Sequence, residues 1–154
     1  MPKLNDGRFC EILLCALENA RKNFELRVYG FVVMPEHVHL LLSEPARRTL
    51  ADVMHAVKLS SAKRIRRFRI TAGGDAPFWQ KRYYDRNIRS YEDFAEKLGY
   101  IHRNPVKRGL CAKPGDWPWS SYRHYATGEA GVVEIESAWT ARRRAAETRE
   151  QNPG

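Results

Sequence analysis

The chain has 154 residues and a mass of 17.9 kDa, enough for one domain with a real core and little more. It is 43% hydrophobic and carries 4 Trp, 7 Tyr and 6 Phe, which excludes wholesale disorder. Its 27 Lys and Arg against 18 Asp and Glu leave a formal charge of +9 and favour a polyanionic partner. Nucleic acid comes before a membrane, because no run approaches the ~18 apolar residues a spanning helix needs. The N-terminus lacks the apolar stretch of a secretory signal. Cys10, Cys15 and Cys111 are odd in number and form no CxxC. A disulfide framework and a cysteine zinc cluster are both disfavoured, and a reducing cytoplasm fits best.

In chain order the first element is a helix. Phe9, Ile12, Leu13, Leu17 and Ala20 recur at three- and four-residue spacing, with Glu11, Glu18, Arg21 and Lys22 between them. Residues 26–34 change period and read as a strand rich in β-branched and aromatic side chains. Pro35-Glu36 breaks that strand, and residues 37–42 start a second, so the two form an antiparallel hairpin. A second helix is expected over residues 49–68, with Leu50, Val53, Met54, Val57, Ile65 and Phe68 as its apolar stripe. Its far end is basic, with Lys58, Lys63, Arg64, Arg66, Arg67 and Arg69. A solvated face that compensates the helix dipole is the bland reading, and phosphate contact the functional one.

Gly73-Gly74-Asp75-Ala76-Pro77 reads as a loop, and residues 78–88 as extended. Ser90 is placed to cap a third helix with Phe94, Leu98 and Ile101 as its buried stripe, stopped by Pro105. Residues 116–122 form an aromatic loop, and the chain ends in a basic, polar stretch expected to fray. The expected organisation is therefore one domain over residues 1–140 and a disordered tail over 141–154. With one strand placed in front, the order becomes β-α-β-β-α-β plus an extra helix. That is an α+β, ferredoxin-like antiparallel sheet with helices on one face and its first strand missing.

Two histidines at i and i+2 on a strand project from one face. His37 and His39 thus point one way with Leu41, while Val38, Leu40 and Leu42 point into the helix-covered core. Two imidazoles on an open sheet face can chelate one divalent ion and leave positions free for substrate. Ordinary half-buried strand histidines are the competing reading. Tyr100 and Asn104 are four apart and share a helical face. A border tyrosine usually packs with a wet hydroxyl. As a nucleophile, a phenol with a pKa of about 10 needs a nearby cation or a polarised phosphate.

Gly30-Phe-Val-Val-Met-Pro-Glu-His-Val-His-Leu-Leu41, Trp79-Gln-Lys-Arg-Tyr-Tyr84 with Ile88-Arg89, Tyr100-Ile-His-Arg-Asn-Pro-Val-Lys-Arg-Gly-Leu110 and Trp117-Pro-Trp-Ser-Ser-Tyr122 occur in that order. Together they resemble the REP-associated tyrosine transposases, bacterial members of the HUH single-strand DNA transposase superfamily. The resemblance runs over residues 30–122.

The resemblance implies that His37 and His39 hold Mg²⁺ or Mn²⁺ and that Asn104 adds a neutral oxygen. It implies that Tyr100 attacks a DNA phosphate to form a 5′-phosphotyrosine and release a 3′-hydroxyl. The partner would be single-stranded hairpin DNA of repetitive extragenic palindromes, met in a bacterial cytoplasm at the nucleoid. On charge alone, Arg64, Arg66, Arg67, Lys81 and Arg82 are assigned to hairpin phosphates. The family opens with a strand absent here, where residues 1–8 read as a loop into the first helix. An unpaired central ladder then favours strand borrowing between copies, and hence a homodimer. The alternative function is a nucleic-acid-binding module without catalysis, a truncated or inactive relative that would need no metal. A zinc nucleobase deaminase is excluded because no H-x-E is paired with P-C-x-x-C.

Overall fold

A computed structural model describes the backbone of residues 7–72 and 88–154, and the side chains of 7–67 and 88–154. Helix α1 (Gly7–Asn23) buries Phe9, Ile12, Leu13, Leu14, Leu17 and Ala20. It packs against α2 (Leu50–Ala72). Thr49 and Asp52 start α2 with reciprocal bonds: the Thr49 N–H donates to Asp52 Oδ2 at 3.1 Å and the Asp52 N–H to Thr49 Oγ1 at 3.2 Å. Val53 and Val57 of α2 meet Leu13, Leu14 and Leu17 of α1 in the main core.

In the chain between α1 and α2 comes the hairpin, β1 (Val28–Val33) and β2 (Val38–Leu42), antiparallel with Val32 opposite His39. The Met34 N–H donates to the His37 carbonyl at 2.8 Å and closes the turn. Val38, Leu40 and Leu42 pack on the α1–α2 side, whereas Leu41 joins Val32, Met34 and Ile101 on the other. The alternation expected of β2 is therefore present. The histidine face, however, is not open, because α3 (Tyr91–Lys107) lies on it. Helices thus flank the hairpin on both faces. Residues 78–88, expected as a further strand, lie outside the described residues apart from Ile88. Among the described residues, β2 pairs with β1 alone.

The second edge of β1 is held by two short segments. The Val33 N–H donates to the Trp119 carbonyl at 2.8 Å and the Ser121 N–H to the Phe31 carbonyl at 3.0 Å. Further along, the Glu136 N–H donates to the Val28 carbonyl at 2.8 Å. A 3₁₀ turn (Pro114–Asp116) and the short helix α4 (Tyr122–Thr127) bracket the Trp119–Ser121 stretch.

Two sequence expectations are corrected. Pro105 does not stop α3, which runs on to Lys107. The stop comes from Gly109 at φ 72°, where the Leu110 N–H closes back on the Pro105 carbonyl at 2.9 Å. The stretch 141–154, expected as a disordered tail, instead contributes most of helix α5 (Ala138–Gln151). Ser137 caps α5 by accepting from the Thr140 N–H at 3.3 Å, and Arg144 ties it to Glu134 and Glu136. Arg21 of α1 reaches the same Glu134 at 3.0 Å. No helix among the described residues is long and apolar enough to cross a membrane.

Candidate active site

The turn into β2 and the middle of α3 meet at one place. His37 Nε2 and His39 Nε2 stand 3.0 Å apart, with the two rings edge to face. That separation is the span between adjacent ligands of an octahedral ion with bonds of about 2.1 Å. The Tyr100 ring lies edge-on to His39, with centroids 5.7 Å apart. Tyr100 remains 44% exposed, so its hydroxyl face is open to a large substrate.

Burial, and then the neighbouring His37, push the His39 imidazole below its ordinary pKa. It is neutral at pH 7 and keeps a lone pair for a cation. Glu36 Oε1 lies 3.6 Å from His37 Nδ1 and forms an ion pair with Arg108 at the end of α3. Burial raises the Glu36 carboxyl, but Arg108 and His37 outweigh it and hold the group below the usual carboxylate range. Glu36 stays anionic beside the Nδ1 edge of His37, and the Nε2 edge is the one that faces His39.

Asn104 sits one turn beyond Tyr100 on α3 and is 5% exposed. Its side-chain amide has no hydrogen-bond partner among the described residues. A buried amide without a partner is unfavourable by roughly 1–3 kcal/mol, so a ligand bound there would relieve it. The two imidazoles, and an amide oxygen one turn beyond Tyr100, are neutral nitrogen and oxygen donors that could serve a divalent ion. Among the described residues, no three His, Cys, Asp or Glu side chains form a metal cluster.

Other tyrosines are placed differently. The Tyr125 hydroxyl donates to the Tyr29 carbonyl at 2.6 Å, and burial pushes it up to about 12. Tyr91, 82% exposed, lies at the opposite end of α3 and stacks on Phe94. Tyr83 and Tyr84 lie outside the described residues. Among the described residues, Tyr100 is the tyrosine whose ring meets the histidine pair.

Arg64, Arg66 and Arg67 are not part of this cluster. They project from the far half of α2 because Ile65, 1% exposed, turns inward against Phe9 and Ile12. All three are exposed and lack an acidic partner among the described residues. Lys81 and Arg82 lie outside the described residues. Lys107 was missed by the sequence reading: its Nζ stands 5.8 Å from the Tyr100 ring centre. The signal was present, since i and i+7 share a helical face.

The chain belongs to the IS200-like transposase family, whose model matches residues 4–104. A putative REP-associated tyrosine transposase of Haemophilus influenzae is 26% identical over 74% of this chain and 69% of its own length. The REP-associated tyrosine transposase of Escherichia coli is 28% identical over 73% of this chain. The chain spans 64% of that second relative. Among solved structures, a REP-associated tyrosine transposase bound to a REP hairpin aligns with a TM-score of 0.65 at 23% identity. That alignment covers 88% of this chain and 78% of the other, and it supports the α+β fold.

Proposed function

We propose that this chain is a metal-dependent tyrosine transposase that cleaves and rejoins single-stranded hairpin DNA of the REP type. The observation that carries the reading is the placement of the Tyr100 ring against His39, whose Nε2 faces that of His37. His37, His39 and Asn104 would hold Mg²⁺ or Mn²⁺, which when bound withdraws charge from a phosphate oxygen. Tyr100 Oη gives up its proton to solvent and attacks the scissile phosphorus, the P–O3′ bond breaks, and the leaving oxygen takes a proton from solvent to depart as a 3′-hydroxyl. The DNA 5′-phosphate stays on Tyr100 as a phosphodiester, so a second 3′-hydroxyl can reverse the step without an energy source. Lys107 Nζ, 5.8 Å from the Tyr100 ring centre, adds positive charge beside the attacking residue.

Arg64, Arg66 and Arg67 would grip hairpin phosphates on the α2 side, and Lys81 and Arg82 are assigned the same task on charge. Such contacts give affinity without reading sequence. The relatives' names and the hairpin in the aligned structure support the choice of DNA. The test is incubation of the full chain with single-stranded hairpin DNA and Mn²⁺, followed by a denaturing gel. A covalent adduct is expected, lost in Tyr100→Phe while hairpin affinity stays nearly unchanged. An adduct that survives in Tyr100→Phe moves the nucleophile elsewhere. Tight hairpin binding with no adduct from the wild-type chain favours the non-catalytic module.

A further inference from the structure

The Trp117-x-x-Ser120-Ser121-Tyr122 string has no part in the chemistry above, yet Trp117 and Ser121 turn their polar groups toward β1 and α3. Trp117 Nε1 donates to the Val33 carbonyl at 3.0 Å. Ser121 Oγ accepts from the Phe31 N–H at 3.0 Å and donates toward the Phe31 carbonyl at 3.3 Å. The same Oγ hydrogen-bonds His102 Nε2 at 2.8 Å. The Tyr122 and Tyr125 rings close on that imidazole at 5.6 and 5.4 Å. His102 is 9% exposed and Ser121 2%.

His102 lies midway between Tyr100 and Asn104 on α3, and Phe31 neighbours Val32, the register partner of His39. Along the body of α3 the rest of the contact with the sheet is apolar, Ile101, Leu98 and Phe94 against Val32, Met34 and Leu41, and the Arg108–Glu36 ion pair lies beyond it at the helix end. Apolar packing is non-directional and tolerates small slides and rotations. A buried hydrogen bond does not, because leaving either group unpaired is unfavourable.

We propose that His102, through Ser121, is a positioning residue that fixes the phase of α3 and so holds Tyr100 against His39. It rests on the reading of Tyr100 as nucleophile, and it adds a residue that touches neither DNA nor metal.

The experiment compares wild type with His102→Leu, His102→Gln and Ser121→Ala as full chains. Glutamine can place a polar atom where His102 Nε2 stands, whereas leucine cannot. Three readouts are taken: single-turnover adduct rate with Mn²⁺, hairpin affinity, and the NOE between the Tyr100 and His39 rings. Expected is an adduct rate lower by on the order of 10²-fold in His102→Leu, since a 1 Å misplacement has effects of that size. Ser121→Ala should follow it, His102→Gln should recover most of the rate, and hairpin affinity should stay level in all three. The NOE should weaken in His102→Leu and Ser121→Ala and persist in His102→Gln. Equal losses in the Gln and Leu variants, or rate and affinity falling in parallel, would overturn the proposal. So would an NOE unchanged in Ser121→Ala, which keeps the test decisive if His102→Leu does not fold. A wild-type chain that forms no adduct defeats the nucleophile reading, and the NOE series still decides the positioning role.

Discussion

His102 makes a quantitative prediction about stability. Burial alone lowers its imidazole from 6.5 to about 4, and no charged neighbour contributes to the shift. The groups that face it are the Ser121 hydroxyl and the Tyr122 and Tyr125 rings. Between pH 6.5 and 4 the unfolded chain therefore carries a proton that the folded chain refuses. Stability is complete above pH 6.5, declines by about 1.4 kcal/mol per pH unit below it, and levels off near pH 4. Summed over the window the loss is about 3 kcal/mol, a large part of the 5–15 kcal/mol typical of a domain. The lowered His39 adds to the decline in the same window. Glu36, Asp52 and Glu134, held below their ordinary values, begin to lose their contribution as pH falls through the ordinary carboxylate range, and that loss is common to wild type and variant. Urea unfolding at pH 7, 6, 5 and 4, on wild type and His102→Gln, isolates the one group. The stability gap between the two proteins should shift by about 3 kcal/mol toward the variant as pH falls from 7 to 4. Parallel stability curves for the two proteins would refute a neutral, buried His102.

Three other outcomes bear on the site. His37→Ala and His39→Ala should each abolish strand cleavage and weaken Mn²⁺ binding measured by calorimetry. Hairpin affinity should change little, because it comes mainly from phosphate contacts; full cleavage in EDTA would dismiss the metal. Arg64→Ala with Arg67→Ala should flatten the plot of log affinity against log salt by about 0.7 to 0.9 per lost contact. An unchanged slope would return these arginines to the solvated face of α2. Lys107→Met should slow adduct formation about 3-fold at low salt, the size of a Coulomb interaction of about 0.7 kcal/mol at 6 Å under water-like screening. That difference should shrink as salt rises, and a salt-independent effect would argue for lost packing instead.

Much of the site was legible because it depends on local periodicity. The period of two along β2 separates His37 and His39 from Val38 and Leu40, and four residues carry Tyr100 round to Asn104. What escaped was tertiary. Pro105 reads as a stop, but a helix needs only a few residues beyond it to reach the glycine that ends it in the left-handed conformation. Arg144 of α5 reads as part of a solvated tail, since its acidic partners Glu134 and Glu136 belong to the preceding segment and gain meaning only when the chain folds back. His102 carried no periodic signal at all. On a helical wheel it is one more border residue, and its partner stands nineteen positions away.

The division of labour between hairpin and helix explains why so much structure surrounds so few reactive atoms. The hairpin carries the histidines and α3 carries Tyr100 and Asn104, so neither element is a site alone. Precision has to come from the contact between them. Gly30 permits that contact: a Cβ there would stand 2.5 Å from Leu98 Cδ1. Leu98 and Ile101 then seat the helix by burying apolar surface, which sets how close α3 comes but not its rotation. Rotation falls to directional groups, and those described lie at two places along the helix. His102 with Ser121 anchors its middle, and Arg108 with Glu36 anchors its end beside His37. A helix pinned at two points about one and a half turns apart cannot roll without breaking one of them. Tyr100 lies one residue short of the core stripe, on the side the pins turn toward the histidines. The nucleophile can therefore stay exposed to a large DNA substrate and still be held in place, since its position is set from behind.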